Sequence, residues 1–230
     1  MERADQLFLR PSPKYDWNDI VAGVMVSTQG GGSRRMMAVD RNTFRGFYRI
    51  TKSCPGAMEG FIRYFLDHRN TLVESLSKIA SRSELNDLAN RICEGVRTNL
   101  TNSVPEQLRP YNKIRKPVDL YLEHLVGMAR ELDEHRVRLV PFLFLPLDSQ
   151  ILAHPALFST AELAAHGLSR RSTYKDVASE EIYTELQDLL KEKAATVAIE
   201  RGRSFHVIYF DMLWNNRHHN WGGNLFESNP

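Results

Sequence analysis

The sequence has little cysteine and almost no net charge. Cys54 and Cys93 are the only cysteines among 230 residues, too few for a disulfide framework and without the spacing of a zinc site. The net charge is +2, from 30 basic and 28 acidic residues. The chain as a whole therefore has no strong attraction for nucleic acid or membrane, and any such attraction must come from local clusters.

Long apolar runs are also missing. No stretch approaches the ~18 apolar residues that a membrane span needs, and the first 17 residues lack an apolar core of signal-peptide length. We therefore expect no membrane contact and a reduced, cytoplasmic setting. A hydrophobic content of 42% and a charged content of 25% are ordinary for a folded protein. The length suits a single domain over 1–230.

Strand-like patterns dominate the N-terminal part. Two apolar runs, Ile20–Val26 and Met36–Val39, flank Gly30-Gly31-Gly32-Ser33 and predict a β-hairpin with a flexible tip. Gly46–Lys52 is a candidate third strand. The sequence thus predicts a β-rich subregion over 1–53.

Helical spacing begins after Pro55. Apolar residues recur at three- and four-residue steps over Met58–Ile79, which predicts an amphipathic helix. Ser81 and Ser159 are each followed by a glutamate at the third position, the spacing of a capping box, and Ser179 is a further helix start. Pro117 suits the first residue of another helix, where its missing N–H costs nothing.

Two later segments are dense in apolar residues and predict buried strands. Arg138–Gln150 carries a continuous apolar run, although Pro141 and Pro146 weaken this prediction because each removes a ladder donor. Phe205–Leu213 is rich in aromatic and β-branched residues. The predicted fold is α/β or α+β, a small mixed sheet of the N-terminal hairpin and two core strands packed with five or six helices, followed by a loop-like tail over 214–230.

Acidic residues at the ends of these strands are the candidate site. Asp148 and Asp211 lie where open α/β sheets bind ligands, and together with Asp119 they are candidate ligands of Mg²⁺. Asp148 followed by Gln150 is a degenerate form of the acidic pattern of metal-dependent nucleases, with Gln150 orienting the attacking water. Glu123, four residues after Asp119, shares its helix face and is a further source of oxygen ligands. The alternatives are a helix cap at Asp148 and a solvated face at Asp119 and Glu123.

Basic residues form two local clusters, one over 34–52 with interleaved aromatics and one over 109–116. Arginine beside aromatic residues suits phosphate contact and base stacking, whereas the alternative is ordinary solvated surface. The candidate nucleic-acid contacts are Arg34, Arg35, Arg45, Arg49, Lys113, Arg115 and Lys116.

Two functional hypotheses follow. The first is a metal-dependent enzyme that processes nucleic acid, of the restriction or defence endonuclease type. Its catalytic residues would be Asp148, Gln150 and Asp211, and its Mg²⁺ ligands Asp119, Asp148 and Asp211. The second is a non-catalytic adaptor or subunit of a larger assembly, which binds a protein partner through the 214–230 tail. The sequence does not specify an oligomeric state.

Overall fold

A computed structural model describes residues 4–5, 8–10, 14–27, 32–48, 56–100 and 105–213. The α-helices are α1 Trp17–Ala22, α2 Arg45–Tyr48, α3 Ala57–Asp67, α4 Arg69–Lys78, α5 Arg82–Asn99, α6 Tyr111–Met128, α7 Arg136–Leu139, α8 Ser149–Ala153, α9 Thr160–Ala165 and α10 Glu180–Arg201. Short 3-10 helices lie at Pro105–Leu108, Arg130–Leu132, Val140–Phe142 and Val207–Phe210. The strands are β1 Val24–Ser27 and β2 Ser33–Met36.

The predicted mixed sheet is wrong, because the protein is helical. In the described part of the chain, the only strand pairing between these elements is the antiparallel hairpin of β1 and β2, in which Val24 lies opposite Met36. The hairpin is shorter than predicted, since Ile20–Ala22 belongs to α1. The predicted third strand is wrong where it can be judged: Gly46–Tyr48 lies in α2, and 49–52 lies outside the described residues.

The predicted strand over Arg138–Gln150 is also wrong, although most of its apolar residues are buried. Phe142, expected in the core, is only partly buried. Arg136–Leu139 and Val140–Phe142 are helical, and 143–148 has no regular secondary structure. Leu139, Leu145 and Leu147 are fully buried. Because Pro141 and Pro146 have no N–H, the segment cannot donate a continuous ladder of hydrogen bonds to a neighbouring strand.

Two side-chain amides form hydrogen bonds with the backbone of this segment, as a neighbouring strand would otherwise do. The side chain of Gln187, on α10, accepts a hydrogen bond from Leu145 N at 3.2 Å and donates one to Leu145 O at 2.7 Å. Asn112, on α6, donates to Leu147 O at 2.8 Å. The buried backbone of the segment is therefore satisfied without a sheet, as buried peptide groups must be.

The second predicted core strand is a helical turn. Val207–Phe210 forms a 3-10 helix, and 211–213 continues as helix. The burial of Val207, Ile208 and Phe210 is confirmed, but their predicted place on a strand beside the first is wrong. The tail over 214–230, with Trp214 and Trp221, lies outside the described residues.

The predicted helix starts agree better with the structure than the predicted strands do. Ser81 caps α5 by accepting a hydrogen bond from Glu84 N, Ser159 opens α9 in a complete capping box, and Ser179 caps α10. Pro117 is an exception, since it lies inside α6 rather than at its start. The predicted helix over Met58–Ile79 is divided into α3 and α4 at His68.

Helix α6 is the central element, in contact with α1, α5 and α10. Nearly all of its residues from Asn112 to Met128 are buried. Aromatic rings surround it, and Tyr121 stacks with Phe65 at 4.5 Å between ring centroids. No helix of the described residues is both long enough and apolar enough to cross a membrane.

Candidate functional site

Helix α6 carries four buried charged side chains, and the candidate site lies around them. Lys113, Arg115, Asp119 and Glu123 are each no more than 2% exposed. Buried charged groups are rare unless they are paired, and clusters of them with shifted pKa values are typical of functional sites. The helix is buried on nearly all sides, so these groups must find partners on the elements packed around it.

The first partner group surrounds Asp119. Its two carboxylate oxygens accept hydrogen bonds from Arg115 Nε and from the Tyr183 hydroxyl, both at 2.7 Å. Arg115 Nη1 donates further to Asn86 Oδ1 and to the Tyr111 hydroxyl, both at 2.8 Å. Both oxygens of Asp119 are thus occupied by protein donors. A metal ion would have to displace one of these bonds to use Asp119 as a ligand.

The second group is a pair of buried carboxyls, Glu123 and Asp211, hydrogen-bonded to each other. Glu123 lies one turn after Asp119 on α6, and Asp211 directly follows the 3-10 helix Val207–Phe210. Within the described part of the chain, Glu123 Oε2 is buried and no N–H or hydroxyl group donates to it. In the described residues, the contact with the Asp211 carboxyl is the polar contact that accompanies the burial of Glu123.

Burial is the largest cause of the raised pKa values of these two carboxyls. It raises the pKa of Asp211, and the charge of Asp148 raises it further, to about 7. Burial, followed by the charges of Asp211 and Asp119, raises the pKa of Glu123 well above its usual range. Lys116 acts in the opposite direction and lowers the pKa of Asp211. At neutral pH the pair therefore holds at least one proton and titrates as a unit.

Asp148 is a helix cap beside this pair. Its Oδ1 accepts hydrogen bonds from the backbone N–H groups of Gln150 at 2.8 Å and Ile151 at 3.0 Å. Its Oδ2 lies 3.6 Å from Lys116 Nζ. The cap and the acidic cluster are not exclusive alternatives, since Asp148 caps α8 and its charge also acts on Asp211. The backbone of Gln150 contributes to the cap.

In the described residues, no three His, Cys, Asp or Glu side chains are grouped so that they could hold a metal ion by themselves. Mg²⁺ in enzymes is commonly held by one or two carboxylates, with waters and substrate phosphate oxygens completing its shell. Glu123 and Asp211 supply two carboxylates of that kind, but they are only 1% and 7% exposed. Waters and a phosphate would have to reach them from the partly exposed side, where Asp148 and Lys116 lie.

The structure separates the predicted basic contacts. Arg35 and Arg45 are exposed, Arg34 lies in β2, and Arg49 is outside the described residues. Lys113 and Arg115 are fully buried, so they do not lie on a surface that a nucleic-acid strand reaches. The Lys116 side chain is 13% exposed and lies next to Asp148.

The two basic clusters meet around Tyr174, a residue that the sequence analysis missed. Lys116 Nζ and Lys175 Nζ lie 5.4 and 5.9 Å from the centroid of its ring. The Tyr174 hydroxyl occupies the position that a Cβ on Gly46 would take, so the backbone of α2 packs against the same tyrosine. No periodic pattern or motif marks Tyr174, because its neighbours come from distant parts of the chain.

Comparison with protein-family models, with curated proteins and with solved structures gave no match for this chain. The functional argument therefore depends on the geometry and chemistry of these residues.

Proposed function

We propose that this protein is a Mg²⁺-dependent enzyme that hydrolyses phosphodiester bonds in nucleic acid, with Glu123 and Asp211 as its metal ligands. The observation that carries the proposal is the direct contact between these two carboxyls in the interior. Two carboxyls placed together in a buried position disfavour ionisation, so the metal-free protein keeps a proton between them. A divalent cation compensates the same negative charge when it replaces that proton.

The pair leaves room in the ion's coordination shell for the reactants. Two carboxylates occupy part of the oxygen shell that Mg²⁺ requires, and water and a phosphate oxygen fill the remainder. When bound, the ion polarises a phosphoryl oxygen and makes its bound water more acidic. Asp148 adds negative charge at the partly exposed side of the cluster, where its side chain is 19% exposed.

The basic residues near this pair favour a nucleic-acid substrate. Lys116 lies next to Asp148, and Lys116 and Lys175 both lie over the ring of Tyr174. Positive side chains beside a metal site attract a phosphate backbone and release its counterions. We place the activity in the cytoplasm, in keeping with the reduced setting that the sequence predicts.

The test is cleavage of plasmid DNA and of RNA by the purified protein in Mg²⁺ and in EDTA. Glu123→Gln and Asp211→Asn should each lose more activity than the roughly 10- to 100-fold typical of outer-shell partners. Glu200→Gln, an exposed residue on α10, is the matched control and should cleave like the wild type. Cleavage by both site variants at the wild-type rate would exclude this pair as the metal site. A folded protein without activity in any condition would favour the non-catalytic adaptor hypothesis.

A further inference from the structure

Lys116 is held loosely by the residues around it. Its Nζ lies 3.6 Å from Asp148 Oδ2, which is longer than a hydrogen bond, and 5.4 Å from the centroid of the Tyr174 ring. Within the described residues, its ammonium makes these two contacts and no hydrogen bond. An ammonium has three N–H donors, so those donors remain for another acceptor.

Asp148 is not free to move closer. Its Oδ1 accepts hydrogen bonds from two backbone N–H groups at the start of α8, and leaving them would remove the helix cap. Lys116 has a flexible four-carbon stem, whereas Asp148 is fixed. The ammonium is thus the movable charge at this edge of the Glu123–Asp211 pair, and it acts electrostatically on Asp211.

A second cation lies on the same ring. Lys175 Nζ is 5.9 Å from the centroid of the Tyr174 ring, and Lys175 is partly exposed. The Tyr174 hydroxyl packs against Gly46 of α2. Two positive side chains, Lys116 from α6 and Lys175 from the loop before α10, therefore lie on the same ring.

We propose that Lys116 binds a phosphate oxygen of the nucleic-acid strand at the partly exposed side of the Glu123–Asp211 pair, beside Asp148, an inference that rests on the proposed function. Lys175 contacts a neighbouring phosphate along the same strand. Lys116 then determines the substrate class: a phosphodiester strand fills the donors of its ammonium, and an uncharged substrate does not. Asp148 holds the ammonium near the site until the phosphate arrives.

The experiment measures binding of a short fluorescein-labelled oligothymidylate in EDTA, where the proposed turnover cannot occur. Lys116→Gln should weaken binding about 10-fold or more, since hydrogen bonds to charged groups are worth that much. It should also reduce the dependence of log K on log salt by about one unit. Lys116→Arg should retain the affinity because it keeps the charge. The control is Lys191→Gln, an exposed lysine on α10, which should bind like the wild type.

The outcomes separate this inference from the proposed function. If Mg²⁺-dependent cleavage occurs but Lys116→Gln binds like the wild type with the same salt dependence, the role of Lys116 is refuted and the enzyme assignment is kept. If Lys116→Gln weakens binding but no condition gives cleavage, the enzyme assignment fails and the binding role is kept. A wild type that does not bind the strand at low salt refutes the inference. Should Lys116→Gln not fold, Lys116→Met keeps the apolar stem on Tyr174 and gives the same test.

Discussion

Replacing Glu123 with glutamine should flatten the pH dependence of the stability of the metal-free protein. In the wild type, burial raises the pKa of both Glu123 and Asp211, the latter to about 7. Between the pKa of an unfolded carboxyl, about 4, and these raised values, the folded protein binds more protons than the unfolded chain does. The stabilisation is fully present below the unfolded pKa, and the free energy of unfolding falls as pH rises through the folded pKa.

The size of the effect follows from the difference between the two pKa values of Asp211. A rise from 3.8 to about 7 corresponds to roughly 4 kcal/mol at about 1.4 kcal/mol per pKa unit. Asp211 is 7% exposed, so solvent screening removes little of it. In Glu123→Gln the side-chain amide donates a hydrogen bond to the Asp211 carboxylate and stabilises its charged form. The part of the loss that comes from Glu123 should therefore disappear, whereas burial and the charge of Asp148 still raise the pKa of Asp211 in this variant.

The assay is urea unfolding in EDTA at a series of pH values from about 5 to about 8.5, a window that includes the folded-state pKa of Asp211, about 7. The wild type and the exposed control Glu200→Gln should lose stability together as pH rises, while Glu123→Gln should lose less. Adding Mg²⁺ at the highest pH should restore the wild type, because a ligand that binds only the folded state stabilises it. Parallel curves for all three proteins would refute the shared proton.

Three further changes test the surroundings of the pair. Asp148→Ala should lower the free energy of unfolding by roughly 1 kcal/mol and Asp148→Asn by much less, since asparagine is an equally good cap; equal urea midpoints for both would contradict the cap. Gln187→Leu leaves the N–H and C=O of Leu145 without partners and should cost about 1–3 kcal/mol for each, measured by the same method; an unchanged midpoint would show that water replaces the amide. Arg115→Met alone should cost about 3–5 kcal/mol, and adding Asp119→Leu should recover much of that loss; additive losses in the double-mutant cycle would contradict the coupling.

Features set by neighbours in sequence could be predicted, whereas features set by distant partners could not. The caps at Ser81, Ser159 and Ser179 join side chains to backbone groups a few residues away, so the spacing alone indicates them. The two later apolar runs predicted burial for most of their residues, because burial depends on hydrophobicity, whereas Met25 in the N-terminal run is 64% exposed. They did not specify the backbone conformation, because a short apolar run fits a buried helix as well as a strand. The amide of Gln187, which replaces the missing ladder, comes from α10.

In the candidate site, too, contacts within one helix could be predicted and contacts between elements could not. One sequence pattern within α6 distinguishes its two acids. Asp119 and Glu123 were predicted to share a helix face, and both are buried there. Asp119 has Arg115 one turn before it, the i,i+4 arrangement that pairs charges on a helix. Glu123 has Asp119 and Gly127 at the corresponding positions, so its helix offers it no cation. An acid on a fully buried helix without a cation one turn away must be neutralised from another element. The contact with Asp211 provides this, because burial and the neighbouring acids raise the pKa of both carboxyls and so favour their protonated, neutral form.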